Sequence, residues 1–206
     1  RETADPKGFR FYTAWQRVLS TRGVQLAYAL RFINQMGRII FIPILPLFIL
    51  QMIDTPNRIN SFTGIVIGSS SAATAIFSVY LGRLGDRSGY RRIVVIGLMT
   101  ASVLFLLQAV VTTGWQLLSL QVLYGIALGG IVPGISALLA VFSREGDEGA
   151  VYGLDNAITS SARMIGPLLG VGLAAWLGVR MVFGAAALFY LTAGLLAAWR
   201  LPKDNR

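Results

Sequence analysis

Apolar residues run along this chain in long blocks, and the polar stretches between them are brief. A helix needs about 20 mainly apolar residues to cross a bilayer. Six blocks meet that length, at residues 23–53, 61–82, 93–113, 115–142, 151–177 and 180–200. The punctuation is Asp54-Thr55-Pro56-Asn57-Arg58, Gly82 to Arg92, Thr112-Thr113-Gly114, Ser143 to Gly149 and Leu177-Gly178-Val179. Links this short set neighbouring helices antiparallel. The pattern predicts an all-α membrane protein. A polar leader (1–22) precedes a six-helix bundle (23–200) and a short tail (201–206) follows it.

Composition removes the soluble alternative. Of 206 residues 55% are hydrophobic and only 13% charged, with a mean hydropathy of +0.66. Soluble domains carry about 25% charged residues. The chain has no Cys and no His. This leaves no disulfide, thiolate or imidazole chemistry. No metal, no cofactor and no enzymatic chemistry are expected.

The net charge of +9 comes from 16 Arg and 2 Lys against nine acids. Its placement is uneven. The leader (Arg1, Lys7, Arg10, Arg17, Arg22), the second link (Arg83, Arg87, Arg91, Arg92), Arg144, and the end of the chain (Arg200, Lys203, Arg206) carry 13 cations. The opposite side carries Arg58 and Arg180 alone. By the positive-inside rule both termini are cytoplasmic. The basic charge is thereby explained without nucleic acid, and no nucleic-acid partner is expected. The leader has no apolar core, so it is no signal peptide. It begins at Arg1 rather than Met and reads as a cytoplasmic connector within something longer, or a trimmed piece.

The strongest local pattern is Gly82-Arg83-Leu84-Gly85-Asp86-Arg87-Ser88-Gly89-Tyr90-Arg91-Arg92. Its glycines permit a tight turn. Asp86 can pair with arginine or sit at a helix N-terminus. The pattern resembles the G-x-L-(A/G)-D-R-x-G-(R/K)-(R/K) loop of the major facilitator superfamily, with Tyr90 in place of a basic residue. The resemblance extends to Tyr124 through Pro133, with Gly125 and Gly129, and to Gly166-Pro167-Leu168-Leu169-Gly170. The latter is similar to the G-P-x-x-G motif of drug:proton antiporters.

The resemblance implies one half of a twelve-helix transporter, built as two inverted three-helix repeats. The basic leader and the stop soon after the sixth helix suit the C-terminal half, with an N-terminal six-helix half as its missing partner. The subfamily it most resembles is the bacterial multidrug-efflux permeases of the inner membrane. Implied with it are export of small molecules, proton coupling, and a gating role for the loop residues Gly82, Gly85, Asp86, Arg87, Gly89, Arg91 and Arg92. In this chain alone Asp86 should find only local partners such as Arg87 or Arg91, or water. The glycine rows, with Pro43, Pro46, Pro133 and Pro167, are read either as close packing and kinks or as hinges.

Polar residues inside the spans are few and costly. Arg31, Asn34, Gln35 and Arg38 follow i, i+3, i+4, i+7 and share one face of the first span. Arg31 and Arg38 lie roughly 12 and 22 Å along the helix from Gly23. Arg31 either snorkels to the interface or lines an aqueous path. Arg38 is deep and must face protein or water, pairing with an acid of the missing half or contacting substrate. The resemblance, in which the first and fourth helices of a half line the cavity, implies that Arg38 is the stronger cavity candidate. In the fifth span Asp155 and Arg163, at i and i+8, are read as sharing one face, and Asp155, Asn156 and Arg163 are candidates for proton coupling or for contact with the other half. Asp155 is the only acid within these blocks, and a structural salt bridge is its alternative role. Lipid, a small-molecule substrate and protons are the expected partners.

Other classes fit less well. Gly134-Ile135-Ser136-Ala137 resembles the Gly-x-Ser motif of rhomboid proteases, but serine activation there needs a histidine. A zinc protease fails for the same reason. The mitochondrial-carrier repeat is absent from the sequence, and no link suits a channel filter. A homodimeric six-helix carrier of a small anionic metabolite remains as the alternative.

Overall fold

The computed structural model describes residues 22–52, 58–143 and 148–201; the leader, most of the tail and the centres of two links lie outside them. The described residues form helices joined by brief links. The first span is α1 (Arg22–Ile39), a 3₁₀ turn (Ile42–Ile44) and α2 (Leu45–Leu50). The other spans are α3 (Ile59–Ser88), α4 (Tyr90–Ala109), α5 (Gly114–Phe142), α6 (Glu148–Leu177) and α7 (Val179–Arg200). All six are long and apolar enough to cross a membrane.

Proline explains the break in the first span. Pro43 and Pro46 have no N–H to return to the preceding turn. Ile44 N–H and Leu45 N–H instead bond the Phe41 carbonyl at 3.0 and 2.9 Å, which restarts the helix. Pro133 and Pro167 lie inside unbroken α5 and α6.

The Gly82 to Arg92 stretch differs from the loop expected there. α3 continues to Ser88 and α4 begins at Tyr90, so one residue makes the turn. Gly89 has φ +90°, which other residues rarely adopt. Its N–H bonds the Gly85 carbonyl at 2.9 Å. Gly178, with φ +89°, joins α6 to α7 in the same way. The α4–α5 link closes with a capping box between Thr113 and Gln116. Trp115 and Trp176 lie exposed at one end of the bundle, and Trp199 at the other. Such exposed tryptophans suit the two levels of a membrane interface.

The packing has an internal exchange symmetry. α3 lies along α5, and α6 lies along α1. α4 packs on α5 as α7 packs on α1, and α4 and α7 pack on each other. Exchanging the first three spans for the last three leaves this pattern unchanged. Three is odd, so the second set starts from the opposite side of the membrane, and the repeats are inverted.

Both outer contacts depend on glycine. A Cβ on Gly125 would stand 2.3 Å from the Ser70 carbonyl oxygen, and one on Gly170 would stand 2.0 Å from that of Ile40. Thr74 seals the α3–α5 contact by donating its hydroxyl to the Gly125 carbonyl at 2.9 Å. The glycine rows therefore serve close packing. Between these contacts sits an aromatic core, with Phe105 against Phe41 at 5.0 Å, Tyr124 at 4.8 Å and Tyr190 at 5.4 Å. α3 and α6 remain on the outside: 17% of the apolar stretch of each is buried, against 44–56% in the other spans.

Gly170→Ala forces two backbones apart and should destabilise the bundle by about 1–3 kcal/mol. Gly172, two residues on, has nothing within 4 Å of a built Cβ, so Gly172→Ala should be neutral or slightly stabilising. Thermal unfolding in detergent compares them, and equal Tm values would show that the contact is not tight.

Candidate functional site

The polar face of α1 divides into two regions with different surroundings. Arg31 does not snorkel. Its Nε donates to Asp155 Oδ1 at 2.9 Å and its Nη2 to Oδ2 at 2.8 Å. Nη2 also reaches the Ser136 hydroxyl at 3.4 Å. One guanidinium thus ties α1 to α6 and α5. The levels agree: Arg31, Asp155 and Ser136 each lie roughly 9–14 Å from the same end of their helices at 1.5 Å per residue. The side chains of Arg31 and Asp155 are 17% and 11% exposed. One turn nearer that end, the buried Tyr28 hydroxyl donates to the Val151 carbonyl at 2.9 Å.

Asn34 and Gln35 are buried. The Tyr190 hydroxyl donates to the Asn34 carbonyl at 3.4 Å, and Tyr124 and Tyr190 share a hydroxyl–hydroxyl bond of 2.5 Å. Asn34 Oδ1 has no partner among the described residues.

Arg38 is exposed. It stands at a cavity of about 410 Å³ between α1, α3 and α5, with Ser70, Ser71, Thr74, Gln121 and Tyr124 among the lining. The cavity groups on α3 and α5 are absent from the expected site. Their trace in the sequence is Ser70, Thr74 and Ser78, at i, i+4 and i+8 in a span that also carries Ser61, Thr63 and Ser69. Ser71 falls beside that stripe.

In α6 the expected common face of Asp155 and Arg163 is not realised. Asp155 is buried, whereas Asn156 and Arg163 are exposed. Eight residues rotate a helix about 80° beyond two full turns, enough to move Arg163 off the contact with α1. Gly166 and Pro167 follow on the same helix, and a Cβ on Gly166 would meet Ile39 at 2.8 Å. On α5, Gly129 similarly abuts Phe77, while Pro133 borders the cavity.

The α3–α4 corner is locally closed. Asp86 accepts the Tyr90 hydroxyl, so its partner is the residue that departs from the family loop, rather than Arg87 or Arg91. The Tyr90 ring lies over Gly85, where a Cβ would meet it at 2.7 Å. Arg91 Nη2 donates to the Ala198 carbonyl at 2.6 Å and fastens the corner to the end of α7. Arg87 and Arg92 are exposed, and Gly82 has open space around it.

The family model of the Major Facilitator Superfamily matches residues 27–206. The chain belongs to this superfamily. Among curated relatives, the Multidrug resistance protein MdtG of Salmonella arizonae, of Salmonella paratyphi B and of Salmonella newport are each 29% identical over 145 residues. The match covers 70% of this chain and 36% of each relative. The chain thus spans little more than a third of the length of the curated relatives it matches. Membership in the superfamily accounts together for the loop pattern, the glycine rows and the exchange symmetry of the spans.

Removing one partner of a desolvated ion pair leaves the other uncompensated. Asp155→Asn or Arg31→Met alone should therefore destabilise by about 1–3 kcal/mol. The double variant should lose less than Asp155→Asn alone. Thermal unfolding of the four proteins gives the coupling; losses that simply add would show that the two side chains act independently.

Proposed function

We propose that this chain is one six-span half of a transporter that exports small molecules from bacterial cells by alternating access, driven by protons. The observation that carries the reading is the polar cavity at Arg38. It lies between α1, α3 and α5 within a bundle packed mainly by apolar side chains and glycine. A cavity walled by helices from both inverted repeats suits a site whose access changes as bundles rock. Family membership and the resistance-protein relatives support transport as the activity.

Asp155 is the embedded carboxylate available to take up a proton. Its ion pair with Arg31 would then be the contact that protonation loosens, since a neutral acid no longer balances the guanidinium. The 13-to-2 distribution of cations supports a cytoplasmic position for the end that carries Gly89 and Arg200.

Everted membrane vesicles bearing the complete protein should accumulate drug-like dyes when a proton gradient is present and release them when an uncoupler is added. Asp155→Asn should keep dye binding and lose uphill accumulation. Full accumulation by this variant would move the coupling carboxylate elsewhere.

The chain has no cysteine, so orientation is accessible to single-cysteine labelling. Position 113 should react with an impermeant reagent in intact cells, and position 88 only after permeabilisation. The reverse pattern would invert the topology.

A further inference from the structure

Of the three arginines that the sequence places within the spans, two are set apart from the cavity. Arg31 is neutralised by Asp155. Arg163 is exposed on α6, which contributes nothing to the cavity wall. Arg38 alone lines the cavity, and no carboxylate lines it with Arg38. Among the described residues Arg38 has no ion-pair or hydrogen-bond partner. A cation at this depth in a span favours an anionic partner.

The uncharged groups around it act in the same sense. Thr74 spends its hydroxyl proton on the Ser70 and Gly125 carbonyls, and Ser78 spends its own on the Ala75 carbonyl. The hydroxyls of Ser70 and Ser71 have no bond among the described residues and are free to donate. Gln121 Nε2 uses one N–H on Gln108 Oε1 at 3.0 Å, which leaves a second N–H. Arg38 adds five more donors in a planar fork. Phe41, Ile42 and Leu128 supply an apolar wall beside this group.

We propose that this cavity takes an organic anion: a carboxylate, phosphate or phosphonate held by the Arg38 fork, with an apolar body against Phe41 and Leu128. Ser71 and Gln121 donate to the remaining anion oxygens. A cationic drug finds no counter-charge on these walls. This rests on the transport reading above and names the charge class of its substrate.

The test is equilibrium dialysis of the complete purified protein with carboxyfluorescein, an anionic dye, and with ethidium, a cationic one. Carboxyfluorescein should bind. Arg38→Ala should weaken it about 10- to 100-fold, as expected for losing a charge-assisted bidentate contact, and Arg38→Lys should weaken it less. Ser71→Asp puts a carboxylate in the same cavity and should also repel carboxyfluorescein; it decides the matter if Arg38→Ala does not fold. Carboxyfluorescein binding that survives both Arg38→Ala and Ser71→Asp would overturn the proposal, and so would a preference for ethidium or no binding of either dye. Arg38 would then be paired by an acid outside these spans. Dye uptake into vesicles reports separately on transport: carboxyfluorescein that binds but is not accumulated upholds the anion site and defeats the transport reading.

Discussion

Two backbone contacts set the rest of the bundle. At Gly125 and Gly170 a carbonyl oxygen of the neighbouring helix occupies the space of a side chain. In lipid, apolar faces gain little by associating with one another, so close packing and interhelical hydrogen bonds hold helices together. The approach of α5 to α3 and of α6 to α1 fixes their register as well as their distance. With that register set, Asp155 arrives level with Arg31, and Ser70, Ser71 and Thr74 arrive beside Gln121 and Tyr124. A slip of one residue at either contact would place a Cβ in the path of a carbonyl, and at Gly170 it would also separate the ion pair.

Arg31 and Arg38 show how one helix face serves two purposes. They are two turns apart on the same side of α1, yet their neighbours differ. Around Arg31 both α5 and α6 close in, and the charge is met within the bundle. Near Arg38 the helix approaches its proline break, and α3 and α5 leave a cavity instead. Burying either arginine without a partner would cost several kcal/mol. The first is offset by Asp155; the second keeps its exposure. Tyr124 joins the two environments, since it borders the cavity and bonds Tyr190, whose hydroxyl reaches the Asn34 carbonyl on α1.

Much of the architecture could be read from the chain. Long apolar blocks, brief links and the Gly82 to Arg92 pattern pointed to six helices and to the superfamily. The break at Pro43 and Pro46 was foreshadowed by the missing N–H groups, although Pro133 and Pro167 carry the same chemistry in unbroken helices. Burial and neighbouring contacts decide between those outcomes, and a local sequence does not contain them. The Arg31–Asp155 pair joins residues 124 positions apart, so spacing within one helix was silent about it. Periodicity suggested that Asp155 and Arg163 share a face, but two helical turns and a fraction carry Arg163 past the contact. The hydroxyl stripe on α3 was visible in principle as Ser70, Thr74 and Ser78. In a membrane helix, however, serine and threonine commonly bond the carbonyl four residues back, as Thr74 does to Ser70, which makes such stripes weak pointers.

The single-residue turns at Gly89 and Gly178 have a mechanical consequence. Each joins the second and third helices of its repeat, and the repeats are inverted, so the two pivots lie at opposite ends of the bundle. A tilt of α3 against α4 is anchored at Gly89 and widens toward the far end. At about 30 Å from the pivot, a 10° tilt displaces the helix by roughly 5 Å. A tilt of α6 against α7 opens the other end by the same amount. The bundle therefore holds two single-residue pivots, one for each repeat, at opposite ends.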